Sequence, residues 1–426
     1  MLIAFHLGRV FTLSLAELIS VLDRKGVSFK IADLYTEVLV IETDQTLDYQ
    51  SLQRRLGGVV KIMEVVDVLP RNSRLESLSA EVKNYFHPNI LKSHFLKQVS
   101  GKLQFGLSIY VLSRKIHVFG QNKRIGMEIK KSLQTEGISC RLVIPEGAAY
   151  ALPSVVVTNN LLLEKGCEID LVVSDSKIYV AKTQTVQDFV DYGRRDYQRP
   201  LRDAKVGMIP PKVAQEMINL AQVPDEARLQ EAFILDPFCG SGTILQEAML
   251  SGYKVFGTDF SQKAIDDAEQ NLGWIRTRYK LPLNRYELAC CDIKDLVEAV
   301  SDKTIVAVVT EGTLGPAYVT PPSQKMIEKN FKDLGKIYLK AFEQFKKILK
   351  TGSRVVVALP AYHKIDGYVS FPMVDKILAA GYDIVAPISG YLQKKYPFLK
   401  VTPRNSIIYD RKDQIVVREI MILQVK

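Results

Sequence analysis

One stretch constrains the fold of this chain more than any other: Phe233-Ile-Leu-Asp-Pro-Phe-Cys-Gly-Ser-Gly-Thr-Ile-Leu-Gln-Glu-Ala248, an apolar run ending in a carboxylate and followed by a glycine-rich turn. It reads as a strand, a tight loop and a helix that begins near Thr243. Gly240 and Gly242 carry no Cβ, so the loop can take positive φ and lay its backbone against a ligand. The helix start directs free amides at whatever sits above it. Glycine-rich turns also serve plain strand-to-helix packing, so the loop by itself names no ligand. A second apolar strand, beginning at Gly252, ends in Asp259, 23 positions after Asp236. An acid about 20 residues past the loop is where α/β nucleotide folds bind ribose hydroxyls. The loop has neither the G-x-G-x-x-G nor the G-x-x-x-x-G-K-[ST] pattern, and no lysine to meet a triphosphate. A ligand with a ribose and no phosphate fits it better.

Asp236-Pro-Phe-Cys-Gly-Ser-Gly242 resembles motif I of the class I S-adenosylmethionine (SAM) dependent methyltransferases, in the form used by enzymes that methylate exocyclic amines of bases. The resemblance implies a Rossmann-like α/β domain over 223–426. It also implies that Asp236, Pro237, Phe238, Cys239, Gly240, Ser241 and Gly242 line the cofactor, with Asp259 and Phe260 at its ribose. After a helix from Gln262 to about Tyr279 and a strand over Tyr286 to Cys290, Asp292 and Ile293 stand where the family meets the adenine. Asp292 is equally placed to cap the next helix, and the two roles are compatible. Upstream, Tyr192-x-x-Arg-Asp-Tyr-x-Arg-Pro200 and Gly207-Met-Ile-Pro-Pro-Lys-Val-Ala214 are similar to the family's segment that closes over SAM, which implies Met208 and Pro210 at the cofactor.

The apolar run Ile305-Val-Ala-Val-Val309 ends where the same family writes Asp-Pro-Pro-Tyr or Asn-Pro-Pro-Tyr; here the four positions are Glu311, Gly312, Thr313 and Leu314. An exocyclic amine is a poor nucleophile, because its lone pair is delocalised into the ring. Catalysis therefore rests on orienting it and accepting its N–H groups. Glu311 keeps an acceptor carboxylate and Gly312 a carbonyl, while the prolines and the stacking aromatic are gone. Tyr318 and Tyr362 are candidates to replace that aromatic.

The net charge of +10 favours a polyanionic partner, although composition alone does not require one. None of the five cysteines forms a C-x-x-C pair, so neither a zinc site nor a disulfide framework is expected. No secretory signal and no apolar run near 20 residues is visible, which leads to the expectation of a cytoplasmic chain without a membrane partner.

In chain order, residues 1–72 read as βαββαβ, a split βαβ, ferredoxin-like unit. Ser14 and Glu17 form a capping-box pattern opening a helix that runs to about Arg24. Residues 73–183 read as a second, mixed α/β segment. It comprises a helix over Leu75 to Phe86, a strand over Leu103 to Leu112, a helix over Asn122 to Gln134, and apolar runs at Ser139 to Ile144, Ser154 to Thr158, Ile169 to Val173 and Lys177 to Ala181. Lys102, Arg114, Lys115, Lys123, Arg124, Lys130 and Lys131 face one acid, Glu128, and interleave with Phe105, Tyr110 and Phe119. That mixture suits phosphate contact and base stacking, but also a core strand beside a solvated helix.

A ferredoxin-like lead, a mixed segment with a basic helix and then a methyltransferase domain resemble the layout of THUMP-domain tRNA guanosine N2-methyltransferases. The resemblance implies RNA contact at Lys115, Lys123, Arg124, Lys130 and Lys131. Within the linker 184–222, Arg194, Arg195, Arg199 and Arg202 can meet phosphate, or pair locally with Asp191, Asp196 and Asp203. Toward the C-terminus we expect helices over Ser323 to Lys350 and Tyr368 to Ala380, strands over Arg354 to Leu359 and Tyr382 to Ile388, and a hairpin of Ser406 to Tyr409 with Ile415 to Leu423. Lys394, Lys395, Lys400, Arg404, Arg411 and Lys412 form a second basic cluster. The function expected from the whole is SAM-dependent N2-methylation of a tRNA guanosine, single or double, by a monomer that needs no metal. The rival readings are a catalytically degenerate SAM- and RNA-binding protein and a DNA exocyclic-amine methyltransferase.

Overall fold

Apolar residues of the strands and helices gather into separate cores in two units. The computed structural model describes residues 1–71, 77–96, 102–113, 116, 118–147, 149–202, 208–228, 231–316, 318–411 and 414–426. The first unit comprises residues 1–11, 26–54 and 59–189, and the second comprises 12–25, 55–58 and 190–426.

The first unit is built on eight strands: β1 (Leu2–Leu7), β2 (Lys30–Tyr35), β3 (Val38–Glu42), β4 (Val59–Pro70), β5 (Leu103–Val111), β6 (Cys140–Val143), β7 (Gly166–Val173) and β8 (Lys177–Val186). They form one sheet in the order β2-β3-β1-β4-β8-β7-β5-β6. The expected divide near residue 72 therefore falls within a continuous sheet, because β4 and β8 pair antiparallel. Every second residue of β5 (Phe105, Leu107, Ile109) and of β7 (Ile169, Leu171, Val173) joins a core with Ile125, Ile129 and Leu133 of the helix Gln121–Thr135.

The second unit carries β9 (Ala232–Asp236), β10 (Lys254–Asp259), β11 (Tyr286–Cys290), β12 (Thr304–Glu311), β13 (Arg354–Lys364), β14 (Gly367–Ser370), β15 (Tyr382–Ile384), β16 (Ile407–Tyr409) and β17 (Val416–Val425). The order β11-β10-β9-β12-β13-β17-β15 is parallel from β11 to β13; β17 runs antiparallel to β13, β15 and β16. All five residues of β9 are buried, as a strand covered on both faces requires. One face packs on the helix Gln324–Ile348 through Phe331, Leu334, Tyr338, Phe342 and Phe345. Gly257 of β10 permits close approach on the other: a Cβ there would lie 2.4 Å from Leu245 Cδ1, on the helix Thr243–Leu250, and 2.8 Å from Leu288 Cδ2. From β9 the chain fills one side of the sheet with β10 and β11, then crosses to β12 on the other. In such folds the crevice at this reversal, above the carboxyl ends of the strands, is the binding site.

Two expectations are corrected, the capping box and the helix at Tyr368, and one apolar run gains an assignment. The helix spans Phe11–Arg24, so Ser14 and Glu17 lie inside it and form no capping box. Their i, i+3 spacing puts them on one buried face, where Ser14 Oγ donates to Glu216 at 3.2 Å and Glu17 accepts from the Gly57 and Gly58 amides, each at 2.8 Å. The run Ser154 to Thr158 is helical (Ser154–Asn159), entered from Pro153 in extended conformation, whatever its β-branched residues prefer. Tyr368 starts no helix: it belongs to β14, and the helix is only Val374–Ala379. Part of the expected helix over Leu75 to Phe86 lies outside the described residues; Leu78–Val82 is helical. No helix among the described residues is long and apolar enough to cross a membrane.

Candidate functional site

Three adjacent parallel strands end in acids beside the glycine loop. Asp236 closes β9 and is buried, and its Oδ1 accepts from Thr310 Oγ1 at 2.6 Å and from the Phe238 amide at 3.2 Å. Burial pushes its carboxyl up to about 7, against these hydrogen bonds. Gly240 (φ +51°) and Gly242 (φ +84°) adopt the left-handed conformation that their lack of Cβ permits. A Cβ on Gly240 would enter open space, so the loop presents bare backbone at that point. Gly242 precedes the helix Thr243–Leu250 and leaves its first amides without a side-chain cap.

Asp259 closes β10 in register with Cys290 of β11. Its carboxylate is fixed by two amides, Gly240 N at 3.1 Å and Ser261 N at 3.0 Å, one on each oxygen. Each oxygen keeps a further lone pair, the acceptor set a ribose diol needs. Phe260 beside it is 81% exposed, an apolar face open to a flat ring. Asp292 caps the short turn Ile293–Asp295 by accepting from the Lys294 amide at 3.0 Å, so its capping role is present; its side chain remains half exposed. Ile293 packs at the edge of the core, as does Phe238, 6.2 Å from the Tyr338 ring. Cys239 is buried and its thiol is pushed up by desolvation, while Pro237 accepts from Thr258 Oγ1 at 3.2 Å. A bare-backbone cradle, a carboxylate with acceptor capacity to spare and a half-exposed acid just past the end of β11 are an arrangement that suits a nucleoside.

The upstream segment is stitched to this loop by Met208 and by Asn271, which sequence reasoning did not single out. Asn271, buried on the helix Gln262–Arg278, accepts from the Leu201 amide at 3.0 Å and donates to the Leu201 and Ser241 carbonyls at 3.0 and 2.9 Å. Met208 Sδ accepts from Ser241 Oγ at 3.4 Å, and Pro210 leads into the helix Pro211–Leu220. No local pattern in the helix sequence marks Asn271 for this role.

The basic residues divide sharply. Arg195 is buried, ion-paired with Glu247 and with Asp191 at 3.2 Å, and stacked 4.1 Å from the Tyr192 centroid, so the local ion-pair reading replaces phosphate contact. Arg199 is also buried and donates to Thr243 Oγ1 at 2.6 Å. Arg194 is half-buried, and Arg202 stacks on Tyr197. Lys123, Arg124 and Lys131 are exposed along one helix and Lys130 is half-buried, whereas Lys115 lies outside the described residues. Phe105 and Tyr110 belong to the core, and of the three interleaved aromatics only Phe119 is exposed.

Glu311 closes β12, next to Asp236 across the strand reversal. Arg418 of β17, almost wholly buried, grips both of its carboxylate oxygens, Nε to Oε2 at 2.6 Å and Nη2 to Oε1 at 2.9 Å. The loop beyond is held by the helix Gln324–Ile348: Tyr338 Oη donates to the Thr313 carbonyl at 3.3 Å and Asn330 Nδ2 to the Leu314 carbonyl at 3.4 Å. Gly312 must be glycine, since a Cβ would fall 2.6 Å from Tyr338 Oη. Tyr362 is buried and accepts from Asn330, which removes it as a stacking surface; Tyr318 is half-buried.

A family model described as a methyltransferase domain matches residues 230–376, and one described as a DNA methylase matches residues 185–270. The chain is 30% identical over 168 residues to the tRNA (guanine(10)-N2)-dimethyltransferase of Pyrococcus abyssi, covering 39% of this chain and 42% of that one. It is 28% identical to the protein of the same name from Methanothermobacter thermautotrophicus, over 38% of this chain and 42% of the relative. The chain thus spans less than half the length of these curated relatives. Among solved structures, TrmN from Thermus thermophilus aligns over 100% of both chains with a TM-score of 0.54 at 13% identity, a likeness of fold alone. Strand order, glycine loop and family match together establish that the second unit carries a methyltransferase domain of Rossmann-like α/β fold, whose cofactor is S-adenosylmethionine.

Proposed function

We propose that this chain transfers a methyl group from SAM to the exocyclic N2 amine of a guanosine in tRNA, with guanosine 10, for which its relatives are named, as the expected position. The observation that carries the reading is the placement of the acids: Glu311, Asp236 and Asp259 close three adjacent parallel strands, Asp292 follows two residues past the end of β11, and the backbone at Gly240 is bare. SAM supplies an electrophilic methyl on a sulfonium. The protein's part is to hold the nucleoside with Asp259 and Asp292, and to accept the amine's N–H groups at Glu311 and the Gly312 carbonyl. Gly312, Thr313 and Leu314 then form the floor against which the base lies.

The order βαββαβ and the antiparallel arrangement β4-β1-β3-β2 over residues 1–72 support a ferredoxin-like unit. The exposed Lys123, Arg124 and Lys131 support an RNA-facing, THUMP-like role for 73–183. A second reading, SAM and RNA binding without turnover, draws support from Arg418, which already takes one acceptor site on each Glu311 oxygen. Incubation of the full chain with SAM and bulk tRNA, followed by nucleoside mass spectrometry, tests both. N2-methyl- or N2,N2-dimethylguanosine is the expected product; tRNA bound with a salt-dependent affinity and no methylated nucleoside would favour the second reading.

A further inference from the structure

We propose that Arg418 is a positioning residue for methyl transfer: its guanidinium fixes the Glu311 carboxylate in the orientation that accepts the amine. This rests on the reading of Glu311 given above. A glutamate has one more rotatable bond than an aspartate, and no proline follows it here, since Gly312 and Thr313 come next. Left to itself such a side chain samples several rotamers, and an acceptor that wanders loses the orientation the reaction depends on.

The fork removes that freedom. Nε and Nη2 meet the two oxygens in parallel, a geometry that fixes both the direction and the plane of the carboxylate. Each oxygen retains a lone pair for an N–H of the amine. Arg418 is itself held from two sides: its backbone pairs with Pro360 of β13 and with Tyr409 of β16, and it reaches across β13 to β12. Glu419, the next residue along β17, is also anchored, accepting from Ser406 Oγ and Arg404. With the Thr313 and Leu314 carbonyls tied to Tyr338 and Asn330, side chains from β17 and from one helix supply the rigidity that prolines would give the loop. As a stabilising device alone the pair is poorly chosen, because burying both charges costs about what their attraction returns. A role in geometry accounts for its place at the strand end.

The test uses full-length wild type, Glu311→Gln, Arg418→Met and the double variant, with SAM and tRNA. Read-outs are kcat, KM for tRNA, SAM affinity by calorimetry and thermal midpoint. Arg418→Met is expected to lower kcat roughly 100-fold, with SAM affinity and KM little changed. In the Glu311→Gln background the same change should cost nothing further, because the carboxylate it orients is gone. Losses that multiply in the double variant, or an Arg418→Met protein with wild-type kcat, would overturn the proposal. If Arg418→Met does not fold, Arg418→Lys decides: a retained cation without the fork should still lower kcat, and unchanged turnover refutes positioning. Wild-type protein that binds SAM and yields no methylguanosine would instead defeat the functional reading, an outcome distinct from either.

Discussion

Replacing Arg195 by methionine should unfold the second unit at a much lower temperature while leaving tRNA affinity nearly intact. The guanidinium lies between Glu247 on the helix Thr243–Leu250 and Asp191 one turn back, and Glu247 is almost completely buried. Without Arg195 the Glu247 carboxylate keeps one hydrogen bond, from Gln246 Nε2 at 2.9 Å, and loses the cation that compensates its burial. Breaking one side of a buried pair costs about 3–5 kcal/mol, whereas replacing both sides with apolar groups is often nearly neutral. For a unit of this size each kcal/mol moves the midpoint by roughly 2–4 °C, which gives a drop of about 6–20 °C. The single tryptophan, Trp274, lies on the helix Gln262–Arg278 and reports on this unit by fluorescence. The paired variant Arg195→Met/Glu247→Leu should recover most of the loss. A midpoint unchanged in Arg195→Met, together with a log–log salt slope of tRNA binding reduced by about one, would show that the side chain meets phosphate and that the burial argument is wrong.

Asp259→Asn puts an NH2 against one of the two amides the carboxylate now accepts from, and calorimetry should find SAM binding about 10- to 100-fold weaker; equal affinity would remove Asp259 from the cofactor site. Gly242→Ala and Gly240→Ala each force a side chain into the left-handed region at about 1–2 kcal/mol. Only the Gly240 methyl points into open space above the loop, so its loss of SAM affinity should exceed its loss of stability. The Asp236 carboxyl, raised from 3.8 to about 7, binds a proton in the folded state that the unfolded chain has already released. Its stabilising effect is complete below pH 4 and declines as pH rises through 7, by at most about 4 kcal/mol. Asp236→Asn should flatten that decline in urea midpoints between pH 4.5 and 8; parallel curves for the two proteins would contradict it. A fragment beginning at Val190 leaves Glu216 without Ser14 and Asn219 without Glu17 and Ser20, and should lack a cooperative unfolding transition.

What could be read from the residues was whatever local chemistry dictates. The strand, loop and helix around Gly240, the second acid at Asp259 and the long helix Gln324–Ile348 follow from glycine placement and apolar period, which act within a few residues of one another. Arg418 was invisible by the same logic: it sits in a strand buried on both faces, next to another charged residue, and its meaning comes from a partner 107 positions away. Ser14 and Glu17 misled because the spacing of a capping box is also that of two residues on one helix face. The linker arginines looked equally fit for phosphate or for local acids, and burial, a tertiary property, decided for Arg195 and Arg199.

The helix Phe11–Arg24 carries Leu13, Leu15, Leu18, Val21 and Leu22 as well as Glu17, all buried in the finished molecule. Its hydrogen-bond partners Glu216 and Asn219 are made about 200 positions later, Glu216 being 202 residues from Ser14. At ribosomal speeds of 5–20 residues per second that interval lasts roughly 10–40 s. For most of it an oily helix, whose Glu17 has only the Gly57 and Gly58 amides to meet, waits outside the exit tunnel, an apolar stretch of nascent chain that calls for a chaperone's cover.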